Sequence, residues 1–130
     1  LWALLAAPLL LGCDVRGLDA PTRALLSNRV ALAINQDPLG TPAVRVRKLG
    51  PLEVLARPLA RGDVAVGLLN RGETSTTIAA RWADLGIRGP HRVHDLWDDH
   101  DLGVLTGQVA RPVPPHGLAL LRLTPVPDRP

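Results

Sequence analysis

Apolar residues are arranged differently on the two sides of Asp37. Residues 1–7 are rich in Ala and Leu and stop at Pro8, the pattern of a helix tail ended by a residue that lacks the next backbone donor. Residues 9–13, Leu-Leu-Leu-Gly-Cys, form a continuous apolar run between turn formers, which predicts a strand buried on both faces of a parallel sheet. Asp19, then Pro21 and a body of Ala24, Leu25 and Leu26, predicts a helix with an aspartate cap and a proline in its first turn. Ser27 and Asn28 interrupt it, and residues 30–34 predict a short second helical piece. Helix, buried strand, helix is the order of an α/β protein.

From Pro38 onward the period shortens to two. Residues 44–47, 52–54, 76–82 and 92–94 alternate apolar with polar, as strands with one wet face do. Residues 64–69 and 118–123 are more continuously apolar and are expected at the centre of a sheet. Turn formers separate these runs at residues 49–51, 61–63, 70–72, 86–90, 98–103 and 114–117. Roughly seven short strands at such spacing predict an antiparallel sandwich. The joint is residues 37–42, where Pro38, Gly40 and Pro42 forbid a continuing helix. The Pro- and Arg-rich stretch after Thr124 is expected to be a frayed tail.

Composition narrows the classes. A chain of 130 residues with 46% hydrophobic and 21% charged residues buries enough surface to exclude intrinsic disorder. The longest apolar run ends at Asp14 and contains Pro8 and Gly12, short of the ~20 residues a membrane span needs. A net charge of +3 raises nucleic acid as a partner, but the arginines are scattered singly from Arg16 to Arg129 with acids between them, without the stripe such a binder shows. A lone cysteine, Cys13, rules out an internal disulfide. The chain has no Met and opens on Leu1-Trp2-Ala3, so it is expected to be a piece of a longer protein.

Several residue groups suggest chemistry. Residues 2–13 end in Leu-Leu-Gly-Cys, the form of a lipoprotein signal, but no Met or positive charge precedes them. Asp95, Asp98, Asp99, His100 and Asp101, with His91 and His94, could be imagined around a cation, yet their spacing fits no defined loop. They read better as a solvated hairpin turn. Ser27 and Ser75 lie in no nucleophile elbow, and Cys13, expected to be buried, is expected to be inert. Asp14 and Arg16 follow the C-terminal end of the expected parallel strand, where α/β folds place their sites. A structural ion pair that holds the strand's end, Asp14 with Arg16 or with a neighbouring loop, is the favoured reading. One carboxylate is in any case too few for glycosidic hydrolysis, which needs two. Trp82 and Trp97, at alternating strand positions, are expected in the core rather than on a sugar-binding face.

The stretches 1–4, 7–16 and 24–28, followed by Ala33-Ile34-Asn35-Gln36-Asp37-Pro38-Leu39-Gly40, resemble the closing part of the α-galactosidases of glycoside hydrolase family 27, the melibiase clan. Leu52-Glu53-Val54, Arg57-Pro58-Leu59, Asn70-Arg71-Gly72, Trp82-Ala83-Asp84-Leu85-Gly86 and Asp95-Leu96-Trp97 resemble that family's C-terminal domain. The resemblance implies the end of a (β/α)8 TIM barrel, its last strand and helix, in residues 1–40, followed by an all-β antiparallel sandwich in residues 41–130. It turns the apolar start into a barrel segment rather than a lipoprotein signal.

The resemblance further implies a retaining hydrolase of terminal α-linked galactose, with a galactoside as substrate and without metal or organic cofactor. An α-N-acetylgalactosaminidase or β-L-arabinopyranosidase of the same family is an alternative, and a non-catalytic carbohydrate-binding or structural sandwich is one of another class. The catalytic aspartates of the family follow earlier barrel strands, so no catalytic, substrate-binding or metal residue is expected here. Asp14 and Arg16 are expected as structural residues near the barrel mouth. No nucleic acid or membrane partner is expected, and the resemblance is compatible with a homo-oligomer.

Overall fold

The computed structural model describes residues 1–127. Two short helices open the chain, α1 (Ala20–Leu26) and α2 (Arg29–Asn35), after a single 3-10 turn at Val15–Gly17. As the sequence predicts, the Asp19 side chain accepts the Thr22 N–H to cap α1; Asn28, expected only as an interruption, caps α2 by accepting from Val30 and Ala31. Eight strands follow: β1 (Val44–Leu49), β2 (Leu52–Pro58), β3 (Val64–Asn70), β4 (Thr76–Arg81), β5 (His91–Asp95), β6 (His100–Leu105), β7 (Gln108–Val113) and β8 (Leu118–Pro125). A one-turn helix, α3 (Trp82–Leu85), links β4 to β5 and ends on Gly86, whose φ of 68° is the left-handed cap that glycine takes without strain.

The strands form an antiparallel sandwich. One sheet has six strands in the order β1-β2-β3-β8-β5-β6, and the other pairs β4 with β7. The two most apolar runs, β3 and β8, sit at the centre of the large sheet, paired from Val64 opposite Leu123 to Leu69 opposite Leu118. Alternation along each strand sends its side chains to two different cores. Val54, Val66, Leu68, Val93, Leu121 and Leu123 face the small sheet, where Ile78, Ala80, Val109 and Val113 meet them. Leu55, Ala65, Leu69 and Leu120 point the other way, onto Leu4, Ile34, Leu59 and Leu96. The large sheet is thus covered on both faces, and its central strands carry apolar residues at nearly every position.

Several expectations need correction. Residues 1–7 form tight turns rather than a helix, and the apolar run at 9–13 is irregular, with a bend at Cys13, and belongs to no described strand. Leu10 is 84% exposed and Cys13 is exposed rather than buried, because a strand exists only where neighbours take its N–H and C=O groups and none of the described strands lies beside this one. The turn expected at 98–103 is shorter: β5 and β6 are joined through residues 96–99, and β6 begins at His100. An edge strand pairs on one side only and tolerates such polar residues. Strand β7 lacks an alternating apolar signal and carries Pro112, which the edge of a two-stranded sheet accommodates. Finally, Trp82 is buried, as expected, but opens α3 rather than closing β4, while Trp97 is 40% exposed. The tail expected to fray is in β8 as far as Pro125, and its last three residues lie outside the described part.

Residues 1–43 are held to the large sheet by packing and by a set of directed contacts. Leu4 is fully buried because Gly67 has no side chain: a Cβ there would lie 2.4 Å from Leu4 Cδ1. The Ala43 amide donates to the Leu4 carbonyl at 2.8 Å. Arg57, fully buried on β2, donates from Nη1 to the Ala3 carbonyl. At the other end of this layer, Asn35 Nδ2 donates to the Ala7 carbonyl at 2.8 Å and Gln36 Nε2 donates to Asn35 Oδ1 at 2.8 Å. The Asp37 carboxylate accepts the Ala60 amide at 3.0 and 3.1 Å and the Leu39 amide at 3.0 Å, joining the chain after α2 to the turn between β2 and β3.

Glu53 lies on the same face of β2 as Arg57. Burial alone would push its carboxyl up, but the hydrogen bond and charge of Arg71 and the charge of Arg45 outweigh burial and hold it below its ordinary value.

Two consequences can be measured. Gly67→Ala should destabilise the chain by about 1–3 kcal/mol through overpacking, and Leu4→Ala in the same molecule should relieve part of that loss. Thermal melts of the single and double variants that add without coupling would contradict the contact. Because the folded carboxyl of Glu53 is the stronger acid, its contribution is full above the unfolded value of about 4.5 and is lost as pH falls through and below it. The melting-temperature gap between the wild type and Glu53→Gln should therefore be widest at neutral pH and shrink in acid; a gap independent of pH would refute the assignment.

Candidate functional site

Asp14 and Arg16 form a closed local unit. The Asp14 carboxylate accepts the Arg16 amide at 3.0 Å, its Nε at 2.9 Å and its Nη2 at 2.9 Å, which pins the 3-10 turn between them. The side-chain hydrogen bond from Arg16, then its backbone N–H, hold the Asp14 carboxyl below the ordinary range. Both side chains are open to solvent, 60% and 88% exposed, so each is engaged mainly with the other.

An apolar groove of about 500 Å³ lies between the opening segment, the two helices and the sandwich. Trp2 and Leu9–11 of the opening segment, Leu25 and Leu26 of α1, and Trp97 of the sandwich line it. Around it Trp2 is 65%, Leu10 84% and Leu25 59% exposed. Contiguous apolar surface of this kind marks an interface rather than a reaction centre.

The acidic residues at the β5–β6 connection do not converge on one point. Asp95 is buried and binds Arg111, Asp99 binds His94 Nε2 at 2.8 Å, and Asp101 reaches Arg92 at 3.5 Å. Asp101 also accepts the Gly103 amide at 2.8 Å, an intrastrand role. Among the described residues no three His, Cys, Asp or Glu side chains group in a way that could hold a metal ion. Ser27 Oγ donates to the Arg23 and Ala24 carbonyls, the bonding of a helix end. Ser75 Oγ lies at 3.5 Å from the Val113 carbonyl. The other buried carboxylates, Glu53 and Asp63, are engaged by Arg71 and Arg122. These carboxylates are held in arginine pairs, which suits them to holding strands and turns in place.

Residue-type reasoning singled out none of Gly67, Arg57 or Asp37, which join the two layers. The signal for Asp37 was present in the distinctive segment Asn35-Gln36-Asp37-Pro38. Arg57 and Gly67 carry no local pattern, because their roles depend on residues more than 50 positions away.

Two family models match the chain. Residues 49–123 match the "Alpha galactosidase C-terminal beta sandwich domain" and residues 1–37 match "Alpha galactosidase A". Alpha-galactosidase 2 of Arabidopsis thaliana is 44% identical over 95% of the chain and 32% of its own length. The crystal structure of alpha-galactosidase I from Mortierella vinacea superposes with a TM-score of 0.89 at 32% identity, covering 94% of this chain and 33% of that one. A β-L-arabinopyranosidase from Geobacillus stearothermophilus superposes equally well, with a TM-score of 0.89 at 29% identity over 97% of this chain and 29% of that one. The chain spans about a third of the length of the curated relatives it matches. With the sandwich model matched over more than half of its residues, the chain belongs to the α-galactosidase family and carries that family's C-terminal β-sandwich.

Proposed function

We propose that the chain is the C-terminal part of a retaining glycoside hydrolase that releases terminal α-linked galactose from oligosaccharides or glycoconjugates. Residues 1–40 close a (β/α)8 barrel and residues 41–130 form the sandwich behind it. The observation that carries this reading is the open apolar groove over Trp2, Leu9–11, Leu25 and Leu26. Such a surface calls for a further apolar layer, and an apolar, unpaired run at residues 9–13 calls for strands on its flanks.

Retention at the anomeric carbon uses two carboxylates ~5 Å apart, one attacking the sugar and the other moving the proton. Two carboxylates suffice, so the reaction needs no metal or organic cofactor. In this reading both reside on loops of the barrel outside residues 1–130, and this chain supplies barrel closure. Asp14 and Arg16 hold the turn after the last barrel strand, which keeps neighbouring loops within the tolerance that a near-attack geometry demands. A galactoside is the partner. Nucleic acid is not, since the arginines are scattered singly along the chain with acids between them rather than gathered in a stripe, and self-association of whole enzymes is compatible with the arrangement.

The likeness to a β-L-arabinopyranosidase keeps a second sugar in view, since that pyranose differs from galactose only in lacking the exocyclic hydroxymethyl group. The deciding experiment assays the full-length protein against nitrophenyl α-D-galactopyranoside, β-L-arabinopyranoside and α-N-acetylgalactosaminide. Galactoside turnover should dominate, and residues 1–130 alone should give none; turnover by this piece would place the carboxylates within it. In the full-length protein, Asp14→Ala and Arg16→Gln should lower the melting temperature while leaving kcat within about tenfold of wild type. An unchanged melting temperature with kcat lost by orders of magnitude would instead make Asp14 a catalytic residue.

A further inference from the structure

The second cavity of the molecule, about 160 Å³, lies at the end of the sandwich where β5 and β7 face one another. Its wall combines an indole, two carboxylates and a guanidinium: Trp97, Asp95, Asp98 and Arg111. Asp95, only 5% exposed, fixes the arrangement. Its Oδ1 accepts the Trp97 amide at 3.2 Å, and its Oδ2 accepts Arg111 Nε at 3.1 Å. Arg111 then reaches Asp98 Oδ2 at 3.4 Å. A buried carboxylate therefore sets the position of both the Trp97 backbone and the Arg111 side chain, which makes the wall pre-formed.

Trp97 departs from its expected core position. It is 40% exposed and lines both this cavity and the apolar groove, standing between them. Asp98 is 70% exposed, so its carboxylate is open to an incoming donor, and Arg111, 26% exposed, still shows part of its guanidinium. The three charged groups sum to −1, which repels anions, while the guanidinium opposes a cation. What remains is a neutral ligand with an apolar face for the indole, hydroxyl donors for the carboxylate and an acceptor oxygen for the guanidinium. A pyranose ring has all three. The volume, about that of five waters, suits one ring rather than a longer oligosaccharide.

We infer that the Trp97–Asp98–Arg111 cavity is a monosaccharide-binding subsite on the sandwich, taking a galactose-like pyranose with its C–H face on the Trp97 ring. The choice of galactose rests on the galactoside reading above; the site itself rests on the cavity and its wall. Such a subsite would keep a glycoconjugate or released sugar near the enzyme without taking part in bond cleavage.

Calorimetric titration of the full-length protein with D-galactose, beside Trp97→Ala and Asp98→Asn, tests this. The wild type should bind two galactose molecules per chain. Each variant should retain one and lose at least about tenfold in affinity for the other, the scale expected for an aromatic platform or a charged hydrogen bond. Asp98 is exposed and at a turn, so Asp98→Asn should keep the wild-type melting temperature even if Trp97→Ala does not. One galactose per wild-type chain, or a second galactose bound undiminished by Asp98→Asn and by a folded Trp97→Ala, overturns the inference. Hydrolysis of nitrophenyl α-galactoside, measured on the same samples, separates the two readings: turnover with a single bound sugar defeats the subsite alone, whereas absent turnover defeats the galactoside assignment whatever the stoichiometry.

Discussion

A sheet that is apolar on both faces cannot be stable with one face in water, and most of this structure follows from satisfying that constraint. Strands β2, β3 and β8 carry Val54, Val66, Leu68, Leu121 and Leu123 toward the small sheet and Leu55, Ala65, Leu69 and Leu120 toward residues 1–43. At about 25 cal/mol for each Å² of apolar surface removed from water, neither set can be left open. The small β4–β7 sheet covers one face with only two strands because β5 and β6 at one edge and β1 at the other are more polar and need less cover. The opposite face is covered by irregular chain and two short helices. Leu4 and Ile34 are the residues of this layer that are completely buried.

Irregular chain can cover a sheet only if its own backbone groups find partners, and here one comes from the sheet and others from the covering layer itself. Ala3, Leu4 and Ala7 offer carbonyls that Arg57, the Ala43 amide and Asn35 take. The buried guanidinium of Arg57 therefore fixes where the opening segment lies, just as Gly67 fixes how close it comes. Asp37 does the same at the far end by accepting two backbone amides from different parts of the chain. The distinctive segment around it is explained by geometry: α2 must stop, the chain must reverse under Pro38, and a carboxylate at that point ties the reversal to the β2–β3 turn.

The parts legible in the sequence were those whose signal is local. The cap at Asp19, the break at Ser27 and Asn28, the alternation of β1, β2, β4 and β5 and the central place of β3 and β8 all follow from spacing and polarity within a few residues. Strands β6 and β7 were hidden because an edge strand and a two-stranded sheet are stabilised by one partner, and their polar residues His100, Asp101, Gln108 and Arg111 read as turn or loop. Residues 9–13 show the opposite failure: the apolar run is a strand pattern, but a strand is a property of its neighbours and not of its own residues. Trp97 was misread because β5 ends at Asp95: the alternation of His91, Val93 and Asp95 would carry residue 97 inward, but Trp97 lies in the link to β6, past the last paired residue.

The end of β5 also explains why chemistry collects at one end of the sandwich. The unbroken alternation of His91, Val93 and Asp95 turns Asp95 inward at the last position of the strand, and a carboxylate carried inward must be paired. Arg111 on β7 is the nearest cation able to reach it, so the ion pair spans the two sheets where they begin to separate. With Asp95 occupied in that way, the next residues, Trp97 and Asp98, are pushed past the sheet end and into solvent, leaving a rigid polar floor beside an uncovered indole. On the side of this floor the Trp97 indole offers an apolar face, and a floor already neutralised in part by Arg111 favours an uncharged occupant over an ion.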